Sequence, residues 1–316
     1  MDKLKNIKIA CTFIGTMIGA GFASGREIAL YFASTSPLSP LLGGVFCGVF
    51  CYIFAELGRI SDGDILSFSF RKISKFTLFL IKISNFFVFC AMLAGCEYVI
   101  SRLLGIKGGA IISAALILVC LYFGIERIKV LNSIVVAALI ALLLIIYFTA
   151  KPEILPFQSF SFHSPILYAS MNILSGGFLI SKLTKDSKPI DSLKIAVIVT
   201  IVLCAFLVII YLLIQESFNT PMPLLFTATT VGLGKIGCII LYLAIFTTLA
   251  GSLYIIVEDN MKKAVIATSL GLLISCLGFQ DIIDIFYPII GYLGAVITLY
   301  GFVKLVYRKR TSLTLL

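Results

Sequence analysis

The chain has 316 residues, 60% of them hydrophobic and 13% charged, with a mean hydropathy of +1.12 and a formal net charge of +10. That composition excludes a soluble globular protein, which needs far more polar surface, and the apolar residues fall in runs of about 20, the length that crosses a bilayer as a helix. The positive charge sits in short stretches between those runs and forms no basic patch interleaved with aromatics, so it points to a lipid bilayer and not to nucleic acid.

In chain order, ten apolar segments are predicted, at about 7–33, 41–59, 76–103, 109–125, 130–150, 164–182, 191–217, 235–258, 263–279 and 284–306. The start, MDKLKNIKIA, has the look of a signal peptide, and AGFASG imitates a cleavage site. The apolar character continues through Phe32, however, so we read a retained first helix. Most links are short. The link 60–75 reads as an amphipathic, basic interfacial helix, and 218–234 is uncharged with prolines at 221 and 223.

Lys and Arg set the expected orientation. With the N-terminus inside, eighteen of the 25 basic residues fall on the inner side, among them Lys3, Arg59, Arg71, Arg127, Lys182, Lys262 and Arg308. Four (Arg102, Lys107, Lys151, Lys235) fall outside, and Arg26, Lys82 and Lys194 lie within segments. This bias predicts cytoplasmic termini in a multi-pass protein of the cell (inner) membrane.

The two halves of the chain match. Gly19-Ala20-Gly21-Phe22 in the first segment is echoed by Ser175-Gly176-Gly177-Phe178 in the sixth, 156 residues later. The same shift overlays segments two to five on seven to ten and one long link on the other. Five segments per half place the second half upside down. The expected fold is therefore all-α and integral to the membrane, one domain over 1–316 with ten transmembrane helices as a 5+5 inverted repeat (about 7–150 and 164–306).

In such repeats the first helix of each half is broken near the bilayer midplane, and a break survives there only where it lines a polar cavity or is buried in protein. Gly15, Gly19, Gly21 and Gly25 in GTMIGAGFASG fit a break. They also fit small-xxx-small packing of an intact helix. The counterpart in segment six, where Ser170, Asn172 and Ser175 add polarity, favours broken helices 1 and 6.

Charges at membrane depth are functional candidates because they cost ~2.5–3.5 kcal/mol at a helix centre. Arg26 and Glu27 follow the glycines; a local ion pair at the interface is one reading of them. Glu97, beside Tyr98 in segment three, either binds a cationic group or relays a proton, or else snorkels outward or pairs with Arg102. Glu56 is placed to pair with Arg59, and Glu216 reads as interfacial. The nine cysteines form no CxxC, and there is one histidine, His163. No metal-ligand cluster, phosphate-binding loop or nucleophile–base pair appears, which argues against an enzyme and against a bound cofactor.

The run GTMIGAGFASGREI at 15–28 resembles the first helix of YkvI-type bacterial membrane proteins of the amino acid–polyamine–organocation superfamily. The resemblance implies the five-plus-five inverted-repeat, LeuT-like fold. Sodium-coupled members hold an ion between the broken first helix and the eighth. Carried over, Gly15 and Ile18 supply carbonyls and Thr247 and Thr248 supply hydroxyls for Na⁺. The alternative for these threonines is hydrogen bonding to their own helix. Some relatives pair an arginine near the break with an aspartate on the tenth helix as an outer gate, here Arg26 with Asp281 or Asp284, although strict alignment puts that arginine at Gly25.

The function expected is a secondary active transporter of a small-molecule solute, an amino acid or amine by the superfamily's default, coupled to Na⁺ or H⁺. The solute site is expected between segments one, three, six and eight, at Gly19, Gly21, Phe22, Glu97, Tyr98, Asn172, Ser175, Gly177 and Phe178. A passive facilitator or a non-transporting sensor of the same fold remains as the alternative.

Overall fold

A computed structural model describes residues 2–33, 35–68, 70–123, 126–153, 159–258 and 260–313, and the side chain of Ser175 lies outside what it describes. The first apolar segment is divided into α1 (Asp2–Met17), α2 (Ala20–Ser24) and α3 (Arg26–Phe32). Then come α4 (Leu38–Ile60), the single turn α5 (Ile65–Phe68), a 3-10 turn at Arg71–Ile73, α6 (Ser74–Leu104), α7 (Gly109–Tyr122) and α8 (Glu126–Ala150). The second half holds α9 (His163–Leu183), α10 (Pro189–Ile214), α11 (Pro223–Thr230), α12 (Gly234–Val257), α13 (Met261–Ser275) and α14 (Phe279–Leu313).

Six helices among the described residues are long and apolar enough to cross a bilayer: α4, α6, most of α8, α10, α12 and most of α14. Helix α9 adds a seventh span if its two parts, His163–Leu174 and Gly176–Leu183, are taken together across a 59° bend.

The breaks follow from local chemistry. Gly19 is extended (φ −93°, ψ −168°), so α1 cannot run on into α2. Gly25 separates α2 from α3 in the left-handed region (φ +77°), where a side chain is strained. A Cβ there would also lie 3.1 Å from the backbone nitrogen of Leu224, so only glycine fits.

The helices pack as two groups. In one, α4 lies against α9 and α10, and α1 joins them. In the other, α6 lies against α12, α13 and α7. Helix α14 touches both groups, through α9 and α6. Rings such as Phe13, Phe32, Phe54, Phe89 and Tyr168 are fully buried, whereas Val119, Ile134, Ile201, Leu273 and Leu299 face outward. Lipid tails are as apolar as this interior, so close packing and polar contacts, not burial from water, hold the helices to one another.

The link at 60–75 is not the interfacial helix expected of it. Among the described residues two single turns form there, and Ile65 and Phe70 are buried. The Phe70 ring packs 6.0 Å from Phe178 and 5.0 Å from Tyr300, drawing the link into the protein between α9 and α14. The link at 218–234 contains α11, which starts on Pro223 and packs against α12 through its buried residues Leu224, Leu225 and Ala228.

Candidate functional site

Any helix leaves its last four carbonyls without partners from its own backbone. At the end of α1 those carbonyls lie at the break. The N–H of Ala20, which a continuous helix would aim at the Thr16 carbonyl, donates instead to Thr248 Oγ1 on α12 (3.2 Å). Helical bonding resumes when Ala23 N–H donates to the Gly19 carbonyl (2.9 Å). The break thus places unsatisfied backbone beside a polar side chain of the eighth segment.

A cavity of about 230 Å³ opens at this point. That is below the usual ~300–1,000 Å³ of drug-sized ligand pockets and suits a small metabolite. The first segment contributes Gly15, Thr16, Gly19, Ala20, Gly21 and Glu27. Helix α6 adds Ser84 and Asn85, α9 adds Asn172, and α12 adds Thr247, Thr248 and Ser252. Asn132 of α8 and Tyr287 of α14 complete the wall. Polar residues scattered through six apolar segments therefore converge on one place, which is what intramembrane polarity is retained for.

Both candidate ion-site threonines bond to their own helix. Thr247 Oγ1 and Thr248 Oγ1 donate to the Ala244 carbonyl at 3.0 and 2.9 Å. A hydroxyl that donates still carries acceptor lone pairs, and Thr248 uses one for Ala20 N–H. Asn85 and Asn172 likewise donate to carbonyls one turn back, Ile81 (2.8 Å) and Tyr168 (3.0 Å). The Ser84 hydroxyl and Glu27 Oε2 are buried in the cavity wall with no hydrogen-bond partner among the described residues.

Arg26 and Glu27 do not pair with each other. Arg26 is buried (6% exposed) and makes a bidentate pair with Asp284 of α14, its Nε 3.0 Å from Oδ1 and its second nitrogen on Oδ2. It also donates to the carbonyls of Phe218 (2.9 Å) and Thr220 (3.4 Å) in the second long link. Asp281 stands exposed in the first turn of α14 and makes no ion pair with Arg26. Glu56 pairs with Arg59 at 3.1 Å, and Glu216 is exposed.

Several expected solute residues lie away from the polar cavity. Glu97 points at the start of α7, where its two oxygens accept from Gly108 N–H (3.0 Å) and Ala110 N–H (2.9 Å). The glycine before α7 has no side chain with which to cap the helix, and a carboxylate is favoured by the unpaired N–H groups there. Glu97 and its neighbour Tyr98 are not among the residues lining the polar cavity. Phe22 and Ile18 line a separate, small apolar cavity with Leu139, Phe206 and Leu224. Phe178 packs on Phe54 (5.8 Å) and Phe70 and does not line the polar cavity. Gly177 serves that packing, since a Cβ there would meet the Phe54 ring at 2.8 Å. The side chain of Ser175 lies outside the described residues. Of the expected solute residues, Gly19, Gly21 and Asn172 reach the polar cavity, together with Gly15, Thr247 and Thr248 of the ion set.

The sequence reading missed Ser84, Asn85, Asn132, Ser252 and Tyr287. A uniform rule that every amide inside an apolar run is a candidate would have found Asn85 and Asn132.

No protein-family model matches the chain. It is similar to the uncharacterized protein YyaD of Bacillus subtilis (strain 168), 25% identical over 312 residues that cover 89% of this chain and 91% of that protein. Among solved structures it is similar to Mhp1 in an inward-facing conformation, with a TM-score of 0.61, 10% identity and coverage of 95% of this chain and 75% of that one. It is also similar to Mhp1 in a closed conformation with bromovinylhydantoin bound, a nucleobase-cation-symport-1 family transporter (TM-score 0.57, 12% identity, 90% and 74% covered). The chain is therefore an all-helical, multi-pass membrane protein that shares the fold of Mhp1.

Proposed function

We propose that this chain is a secondary active transporter of a small organic solute, coupled to a cation and working by alternating access. The observation that carries the reading is the polar cavity at the break between α1 and α2, walled by the first, third, fifth, sixth, eighth and tenth segments. A channel needs a polar path across the membrane, whereas here the polar groups gather at one site. An amino acid or amine is the solute class implied by the YkvI-type resemblance, and the solved Mhp1 complex holds a small organic molecule.

In this reading all ten segments cross the bilayer as a 5+5 inverted repeat, both termini are cytoplasmic, and the first and sixth crossings are the broken ones. Its support is the matching helix order of the two halves and the position of short helices α5 and α11 in corresponding links. The coupling ion is Na⁺ or H⁺. Carbonyls of Gly15 and Ile18 with hydroxyls of Thr247 and Thr248 are hard oxygen donors of the kind that unwound transporter helices offer to Na⁺. Arg26 and Asp284 act as the outer gate.

The test is solute accumulation in proteoliposomes under imposed Na⁺ or proton gradients. Thr248→Ala is expected to remove Na⁺ dependence and to lower stability by about 1 kcal/mol, the worth of a hydrogen bond. Full Na⁺ dependence in that variant rules out the ion site. Flux without any gradient coupling makes the protein a facilitator, and binding without flux makes it a sensor.

A further inference from the structure

Glu27 is the one acidic residue in the wall of the polar cavity. It sits in the first turn of α3 and is 8% exposed. Its Oε1 lies directly over Gly21, where any side chain would occupy the position of the carboxylate. The room for Glu27 thus exists because residue 21 is glycine.

Among the described residues the carboxylate makes no ion pair. Arg26, its neighbour in sequence, is committed to Asp284 and to two backbone carbonyls. The Glu27 oxygen Oε2 has no hydrogen-bond partner among the described residues. A buried, unpaired carboxylate is costly in a low-dielectric site. Protonation is one way to relieve that cost, with the O–H then bonding within the cavity. An entering ammonium group is another, because it brings both a positive charge and N–H donors. A second unsatisfied group, the Ser84 hydroxyl, faces the same cavity from α6 and is suited to the uncharged polar part of the same molecule.

We infer that Glu27 is the residue that binds the cationic amine of the solute, with Gly21 kept small to seat the carboxylate and Ser84 bonding the rest of the solute. This rests on the reading of the cavity as the site of an amino acid or amine and names the residues that hold it. Tyr287 also lines the cavity.

The experiment uses the full-length protein purified in detergent. Thermal midpoints are measured against ethanolamine, n-butylamine, putrescine and L-alanine, with n-butanol and propionamide as uncharged counterparts. At least one amine is expected to stabilise the protein where the uncharged compounds do not. Glu27→Gln keeps the shape of the side chain and should weaken that amine by about tenfold or more, as expected for loss of a charge-assisted bond. Gly21→Ala should weaken it comparably by displacing the carboxylate, and it decides the matter if Glu27→Gln is not recovered folded. The inference is overturned if no amine shifts the midpoint, if uncharged compounds bind as well, or if both variants bind the amine like the parent. Counterflow in proteoliposomes separates the two claims. Glu27-dependent amine binding without counterflow keeps this inference and removes the transporter reading. Transport of an uncharged solute that Glu27→Gln leaves unchanged does the reverse.

Discussion

The two glycine-containing stretches at 15–25 and 175–178 have similar composition and are put to different use. At the first, the helix stops, the chain crosses Gly19 in extended form, and the freed backbone meets Thr248 and a polar cavity. At the second, α9 bends by 59° and its glycines are covered by rings, Gly176 by Phe13 and Gly177 by Phe54. The first stretch is held from outside by polar contacts, Thr248 at its middle and the Arg26–Asp284 pair beyond its end. The second is held by aromatic packing. The lesson is that a glycine cluster in a membrane helix marks where backbone approaches something closely, and the neighbour decides whether the outcome is a ligand site or a tight contact.

Three substitutions sharpen or break this contrast. The largest effect is expected from Asp284→Asn. It leaves Arg26 buried without its counter-charge, and breaking a fully buried pair costs ~3–5 kcal/mol. The Asp284 side chain is 32% exposed and Arg26 keeps two carbonyl acceptors, so a loss of about 3 kcal/mol is expected in unfolding measurements. A negligible loss would mean that packing, not charge, holds the first stretch as well. Next is Gly177→Val, which drives a side chain into the Phe54 ring. Overpacking of this kind costs about 1–3 kcal/mol, and an unchanged midpoint would remove the argument that α9 is shaped by ring packing. The smallest effect belongs to Gly19→Ala. Its backbone angles suit any residue and a new Cβ would lie 3.4 Å from Thr248 Oγ1, an ordinary contact, so stability should stay within about 0.5 kcal/mol. A large loss would show that the start of the break is sterically as demanding as the bend in α9.

Much of the fold is legible in the sequence, because apolar runs and their spacing report helices directly. The ten predicted segments coincide with α1–α3, α4, α6, α7, α8, α9, α10, α12, α13 and α14. The site is legible where chemistry is carried by backbone: Gly15, Gly19 and Gly21 line the cavity because the chain opens there. It is not legible where the direction of a side chain decides. Phe22 follows Gly21 directly, yet the rotation of about 100° between successive residues of a helix sends it to a different, apolar side. Glu97 lies in the expected helix, but its two oxygens are taken by N–H groups at the N-terminus of α7, eleven and thirteen residues further on. The link 60–75 reads as an interfacial helix from its basic and polar residues, whereas its Phe70 packs between α9 and α14. Arg26 shows the reverse: a gate partner suggested by resemblance is paired with Asp284, but the carbonyls of Phe218 and Thr220 that complete its shell carry no signal in side-chain sequence.

The break at Ile18–Gly19 has a mechanical consequence. Helix α1 packs against α9 and α10, whereas α2 packs against α12 and α11. The two halves of one nominal helix therefore belong to different neighbours. A continuous helix would couple those neighbours as a rigid strut, and a push on one would be delivered to the other. With the backbone ladder interrupted between Ile18 and Gly19, no continuous helix ties the neighbours of α1 to those of α2, and the cavity lies at the interruption.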